Sequence, residues 1–243
     1  MRVAVLSDAH ANLAALEAVL TDADSRNAEA VWHLGDLVGY GPDPDRVVEI
    51  MGARGAICVM GNHDAAAAGV IGTEWFNPVA AQAARWTAET ISGASREWLA
   101  SLPHVEQQGS WTLAHGTLRD PLFEYLSTFE AARGHFAAMP AAYSCVGHTH
   151  LPLVIREAAP GQLDSFAPAD GDVVEFGTER LCFNPGGTGQ PRDGDPRACY
   201  ALLDTDACSI TFRRVAYDFS MTQQRMIDAG LPQTLVTRLA VGR

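Results

Sequence analysis

Residues 1–64 read MRVAVLSDAHANLAALEAVLTDADSRNAEAVWHLGDLVGYGPDPDRVVEIMGARGAICVMGNHD and alternate between two hydrophobic periods. Val3–Leu6 is a short apolar run of strand type, whereas Leu13, Leu16, Val19 and Leu20 recur at helical spacing within Asn12–Ala23. Ala30–Leu34 predicts a second strand, Pro44–Met51 a second helix and Ala56–Met60 a third strand. A β-α-β-α-β order requires a parallel sheet with right-handed crossovers and helices on its faces. Each strand ends in a polar cluster: Ser-Asp-Ala-His, then Gly-Asp-Leu-Val-Gly-Tyr-Gly, then Gly-Asn-His-Asp. Ligand sites in parallel sheets form outside the carboxyl ends of strands, so the three clusters are expected to converge.

Further along, residues 65–101 are rich in alanine and read as helices packed over or beside that edge. Trp75, Trp86 and Trp98 stand there at roughly helical spacing and read as core, not as a base-stacking platform. From Val105 the pattern shortens to strands at Trp111–Ala114, Ser144–Val146, Leu153–Arg156, Val173–Phe176, Arg180–Phe183, Tyr200–Asp204 and Ile210–Val215. Glycines and prolines separate them, which suits antiparallel pairs. Phe129–Phe136 and Met221–Ala229 are expected helices. No low-complexity linker or internal repeat divides the chain, so one domain over residues 1–243, with two sheets between helices, is the expectation.

Apolar residues make up 47% and charged residues 19%, the balance of an ordinary globular protein with a core large enough to need no staples. MRVAVLSDAHANL meets an acid within eight residues, so it reads as a first strand and not as a secretory signal. No stretch approaches the roughly 18 apolar residues of a membrane span. Seventeen basic against 29 acidic side chains give a formal charge of −12 with no basic run. Long-range repulsion then argues against stable binding to duplex nucleic acid, although divalent cations would reverse the sign locally. The five cysteines are odd in number and unclustered, and read as buried free thiols of a cytoplasmic protein.

Asp8-x-His10 puts a carboxylate and an imidazole on one side of an extended segment, a spacing that suits two ligands to one metal. Gly35 lets the backbone turn so that Asp36 can point inward. Asn62-His63-Asp64, His115 and His148-x-His150 also close strand-like runs. Five of the eight histidines fall in these few positions, which chance placement on a surface does not account for. Mixed carboxylate, amide and imidazole donors suit Mn, Fe, Zn, Co or Ni better than Ca or Mg, which prefer all-oxygen shells. His33, His104 and His135 have no such context and read as structural or surface residues.

The order Asp-x-His, Gly-Asp, Gly-Asn-His-Asp, His-Gly, Gly-His-x-His resembles the calcineurin-like metallophosphoesterases. The phrases Ser-Asp-Ala-His-Ala-Asn-Leu, Gly-Asp-Leu-Val-Gly-Tyr-Gly-Pro-Asp-Pro and Asn-Pro-Gly-Gly-Thr-Gly-Gln-Pro-Arg-Asp-Gly are similar to its small bacterial and archaeal phosphodiesterase-type branch, from residue 1 to about 204. The resemblance implies an α/β fold, a four-layer α-β-β-α sandwich of two mixed sheets. It implies two divalent transition metal ions, one on Asp8, His10, Asp36 and His150 and one on Asp36, Asn62, His115 and His148. Asp36 is then the bridging carboxylate, a metal-bridging hydroxide the nucleophile, and His63 the group that protonates the leaving oxygen. Asp64, next in sequence, is expected to hold the His63 imidazole in the useful tautomer.

Two departures from that pattern remove no ligand: Ala11 stands where a glycine is usual, and Gly187 where serine is frequent. Arg119 and Arg192, each on a Gly/Pro/Asp-rich loop, are the candidate phosphate clamps, with an exposed pairing to Asp120 or Asp193 as the alternative. Tyr40 is a candidate border of the substrate cleft, or part of a tight turn. The expected function is phosphoester hydrolysis on a small substrate, a phosphodiester or nucleotide-type ester first, with a phosphomonoester, a phosphoprotein or a dinucleotide polyphosphate as alternatives. A non-catalytic scaffold of the same fold is the alternative from another class, and such proteins have typically lost ligands that are present here.

Overall fold

The computed structural model describes residues 1–243. The opening unit is β1 (Arg2–Leu6), α1 (Leu13–Ser25), β2 (Ala30–His33), α2 (Pro44–Ala53) and β3 (Ile57–Cys58). It is followed by α3 (Asn62–Ala68), α4 (Pro78–Thr90) and α5 (Gly93–Ala100), then β4 (Val105–Gln108), β5 (Trp111–Ala114), α6 (Phe129–Ala138) and β6 (Tyr143–Cys145). The remainder is β7 (Leu153–Ala159), β8 (Gln162–Phe166), β9 (Val173–Glu175), β10 (Arg180–Asn184), β11 (Ala198–Asp204), β12 (Ser209–Val215), α7 (Phe219–Asp228) and α8 (Gln233–Arg238).

These strands form two six-stranded mixed sheets, ordered β3-β2-β1-β11-β12-β9 and β4-β5-β6-β10-β7-β8. Period-two alternation explains how β1 serves two layers at once. Ala4 and Leu6 face a cluster with Leu16, Val19, Val47 and Met51 from α1 and α2, while Val3 and Val5 face Trp111, Phe183 and Phe212 between the sheets. Phe136 of α6 closes the far side of the second sheet with Val146, Ile155 and Cys182. The result is helices, sheet, sheet, helix, the expected α/β sandwich. No helix is long and apolar enough to cross a membrane.

β1, β2 and β3 are parallel as the alternating periods require. The later strands differ from the antiparallel expectation in two pairings: β5 with β6 and β6 with β10 are parallel. For β5 and β6 the reason is the crossover through α6, long enough to bring the chain back to the same end of the sheet. That parallel pair delivers His115 after β5 and His148 after β6 to the edge where β1, β2 and β3 end. β4, β8 and α8 have no counterpart among the expected elements; β4 and β8 are short edge strands whose polar residues carry no clear alternation.

Candidate metal centre

The backbone that presents the ligands is unusual. Asp8 (φ 55°), His10 (46°), Asp36 (56°), His148 (66°) and His150 (59°) all occupy the left-handed region, as do Ala11 (51°) and Tyr40 (59°). Such conformations cost L-residues roughly 1–2 kcal/mol each and persist only where the surroundings over-determine them. Here the loops bond to one another: Asp8 N–H donates to Gly35 O (3.0 Å), His10 N–H to Asp36 O (2.9 Å) and Ala11 N–H to Leu37 O (2.8 Å). The left-handed φ at Ala11 also explains why glycine suits that position. Gly35, at φ 86°, has no room for a side chain, because a Cβ there would lie 2.7 Å from Gly61 N and 2.8 Å from His115 Nδ1.

Two buried groups of donors converge, Asp8 with His10 and His150, and Asp36 with His115 and His148. In each imidazole one nitrogen is committed to a backbone carbonyl. His10 Nδ1 lies 3.1 Å from Val38 O, His150 Nδ1 2.5 Å from Gln190 O, His115 Nδ1 2.8 Å from Leu34 O and His148 Nε2 3.2 Å from Phe123 O. Those nitrogens therefore carry a proton, and the inner nitrogens of His10, His148 and His150, whose rings burial keeps neutral, are lone pairs. Yet the inner nitrogens face each other: His10 Nε2 and His150 Nε2 at 3.2 Å, His115 Nε2 and His148 Nδ1 at 3.0 Å. The lone pairs of His10 and His150 cannot hydrogen bond to each other. Donors each about 2.1 Å from one cation are about 3.0–3.4 Å apart, so the spacing fits a metal on each side.

The oxygen donors complete the test. Asp36 Oδ2 stands 3.6 Å from His10 Nε2 and 3.4 Å from His115 Nε2, one imidazole of each group. Asp8 Oδ1, buried with no hydrogen-bond partner, is 3.3 Å from His150 Nε2. Asn62 Oδ1 lies 3.2 Å from His115 Nε2, on the second group. All seven side chains named from the sequence as candidate ligands are thus brought together, and their spacing fits two positions with Asp36 between them. On protein charges alone, burial pushes the Asp8 carboxyl up to about 7. Burial holds His10 and His150 well below the usual imidazole range and His148 down to about 3. Burial opposes charge on Asp36 and His115 too, but each outweighs it for the other: Asp36 is held well below the carboxylate range and His115 pushed up to about 9.

His63 sits beside this cluster on the first turn of α3, its ring 4.3 Å from Tyr40, 4.8 Å from Phe76 and 5.0 Å from His10. Its N–H donates to Asp36 Oδ1 (2.9 Å), so the carboxylate oxygen that does not face the imidazoles fixes the α3 terminus. Burial lowers its imidazole to about 4. Asp64 does not touch it. Asp64 Oδ1 accepts Val38 N–H and Oδ2 accepts Gly61 N–H, both at 3.0 Å, and His63 Nδ1 is buried without a partner. The expectation that Asp64 sets the His63 tautomer is therefore corrected: one residue on along a helix turn, it points to the α3 terminus and caps it.

A cavity of about 500 Å³ opens above the donors, lined by Asp36, Asn62, His63, His148 and His150 together with Tyr40 and Arg192. Arg192 bonds Gln190 Oε1 (3.1 Å), lies over the Tyr40 ring at 6.0 Å and pairs with no carboxylate. Arg119 is not among the lining residues; its guanidinium is exposed and paired with Glu124, not with Asp120. Trp75 is 82% exposed at the cavity mouth, so the core reading fails for it, while Trp86 and Trp98 are half-buried. Phe76, from the segment expected to pack over or beside the edge where β1, β2 and β3 end, also lines the cavity, as do Phe123 and Tyr125, which carry no signal in the sequence. Tyr125 stacks flat on His148 at 3.9 Å and 4°. His135 is structural, buried between Leu118 N and Ser144 Oγ.

The sequence matches the calcineurin-like phosphoesterase superfamily domain over residues 1–207, and the chain belongs to that family. It is 32% identical over 246 residues to an uncharacterized protein of Methanocaldococcus jannaschii, MJ0912, covering 99% of this chain and 98% of that one. The crystal structure of a metallophosphoesterase from Sphaerobacter thermophilus superimposes with a TM-score of 0.91 at 45% identity, covering 100% of this chain and 99% of that chain. A hypothetical protein from Pyrococcus horikoshii OT3, PH1004, shares the fold, with a TM-score of 0.80 at 20% identity over 100% of this chain and 98% of that chain.

Proposed function

We propose that this protein hydrolyses phosphoesters, diesters before monoesters, at two divalent transition-metal ions drawn from Mn, Fe, Zn, Ni and Co. The observation that carries the reading is Asp36 Oδ2, placed between one imidazole of each donor group at 3.6 and 3.4 Å. Two such ions, when bound, supply a water that loses its proton near neutral pH and neutralise the phosphoryl oxygens. The chain's own part is positional. Asp8, His10 and His150 hold one side, Asn62, His115 and His148 the other, and the outer carbonyls fix each ring with its inner nitrogen toward the ions. His63 donates a proton to the leaving oxygen. The proton comes from the imidazolium form of His63, which lines the cavity and returns to the neutral ring as the leaving oxygen takes the proton.

Charge favours the diester. Formal charge is −12, Asp120 stands on the cavity wall, and Arg192 is the lining residue that carries a fixed positive charge. A monoanionic diester is repelled less by those surroundings than a dianionic monoester. A dinucleotide polyphosphate is the second reading, favoured by Arg192 having no carboxylate partner. Five free cysteines, four of them buried, support a cytoplasmic setting. With Mn, Ni, Co and Zn tried in turn, kcat/KM on bis(p-nitrophenyl) phosphate should exceed that on p-nitrophenyl phosphate. A tenfold advantage for the monoester, or for a dinucleotide polyphosphate, overturns the diester assignment.

A further inference from the structure

Trp75 departs from every other tryptophan in the chain. Trp32 and Trp111 are 2% exposed and lie between the sheets, yet Trp75 is 82% exposed. An indole left in water forgoes the burial of some 150–250 Å² of largely apolar surface. Its position follows from a short segment between α3 and α4. Phe76 of that segment packs edge-on against His63, and the preceding residue is carried out over the cavity. There Trp75 meets Phe123, which comes from the loop between β5 and α6, with ring centroids 6.4 Å apart and planes tilted by 50°. Asp120 lies on the same cavity, its Oδ1 accepting the N–H groups of Leu122 (3.3 Å) and Phe123 (3.2 Å).

We propose that Trp75 and Phe123 form a stacking platform for a nucleobase, so that the site takes nucleotide-type phosphoesters with the phosphorus on the metal side and the base at the mouth. The proposal rests on the phosphoester-hydrolase reading above and adds the substrate class. Three observations select this occupant. The rings line the same cavity of about 500 Å³ as the metal donors, within the ~300–1,000 Å³ of small-molecule sites. The carboxylate of Asp120 on that wall repels a further phosphate but accepts a base or ribose donor. Two rings at a cavity mouth offer far less than the roughly 800 Å² per partner that a stable dimer needs. Stacking on an aromatic side chain strengthens binding of a base by roughly 5- to 150-fold, whichever base it is. Specificity here is for a planar ring, not for one sequence of donors and acceptors.

The test compares adenosine 5′-monophosphate with ribose 5-phosphate, which share sugar and phosphate and differ only in the base. Binding to the Mn-loaded protein is measured by calorimetry for the wild type, Trp75→Ala and Trp75→Phe, alongside the solution mass of each. The nucleotide should bind at least tenfold tighter than the sugar phosphate. Trp75→Ala should reduce that preference to threefold or less without changing the affinity for ribose 5-phosphate, and Trp75→Phe should keep most of it. No preference in the wild type, a preference undiminished in Trp75→Ala, or an equal loss on both ligands overturns the platform. A wild-type dimer that becomes a monomer in Trp75→Ala does so as well, because a second copy would then be the cover. The readout is binding, so a protein that turns over neither monoester leaves this test intact; the hydrolase reading fails separately, if the Mn-loaded protein hydrolyses neither bis(p-nitrophenyl) phosphate nor p-nitrophenyl phosphate.

Discussion

Nε2 of His10 stands 3.2 Å from Nε2 of His150, although both rings have their proton on the other nitrogen, bonded to Val38 O and Gln190 O. Lone pair faces lone pair in a buried site. A cation between them turns a destabilising contact into a coordination shell. Folding should therefore be strongly linked to metal. At a metal concentration of 1,000 Kd the linkage is about 4 kcal/mol, or roughly 8–16 °C in Tm for a chain of this size. Scanning calorimetry of chelator-treated protein with and without added Mn or Zn checks this; coincident melting curves would contradict it.

His63 is assigned to proton transfer and makes no side-chain contact that a metal shell requires. His63→Ala should keep its bound metal but lose about 10²–10⁴-fold in kcat. The loss should shrink on nitrophenolate esters, whose leaving group needs no proton. Equal losses on good and poor leaving groups would show that the ring positions substrate instead.

Asp64 has a different task. It is buried at 0% exposure, and its two oxygens satisfy Val38 N–H, on the Asp36 loop, and Gly61 N–H, at the start of α3. Asp64→Ala strands two buried donors and should cost about 2–6 kcal/mol of stability at 1–3 kcal/mol per donor. A chemical-denaturation midpoint unchanged from wild type would restore the idea that this carboxylate serves His63.

Much of this is legible in the sequence. The clusters after β1, β2 and β3 end neighbouring strands of one parallel sheet, so the convergence of Asp8, His10, Asp36 and Asn62 follows from topology. His115, His148 and His150 come instead from the second sheet, whose parallel β5–β6 pair the residue pattern does not reveal. What stayed hidden depends on contacts between distant segments. Asp64 is next to His63 in sequence, but α3 begins at Asn62, and a residue in its first turn is directed to the free N–H groups there. Trp75 has the composition of core; only the course of the α3–α4 connection leaves it uncovered. Arg119 and Arg192 stand on loops of similar composition, and a carboxylate five residues on, Glu124, decides that one is paired and the other not.

His135 provides a pH signature away from the metals. Nδ1 accepts Leu118 N–H (3.1 Å) and Nε2 bonds Ser144 Oγ (2.8 Å), so the ring is held neutral, and burial lowers it to about 4 from 6.5. The unfolded chain then binds the extra proton between those values, and stability must fall as pH drops from about 6.5 to 4. The contribution is on the order of 3 kcal/mol across that window. His135→Gln should flatten the dependence of unfolding free energy on pH by up to one proton there, whatever its offset. Parallel curves for wild type and variant would refute the assignment.

The shared carboxylate is the centre of the account, and the metal content of Asp36→Asn tests it most directly. The amide keeps an oxygen to accept His63 N–H, so the loop should hold, but it no longer supplies a charged oxygen to both donor groups. Elemental analysis of the folded variant should give well under two metals per chain, against two in the wild type, with near-zero turnover. Two metals retained in Asp36→Asn, or fewer than two in a saturated wild type, would contradict the bridge.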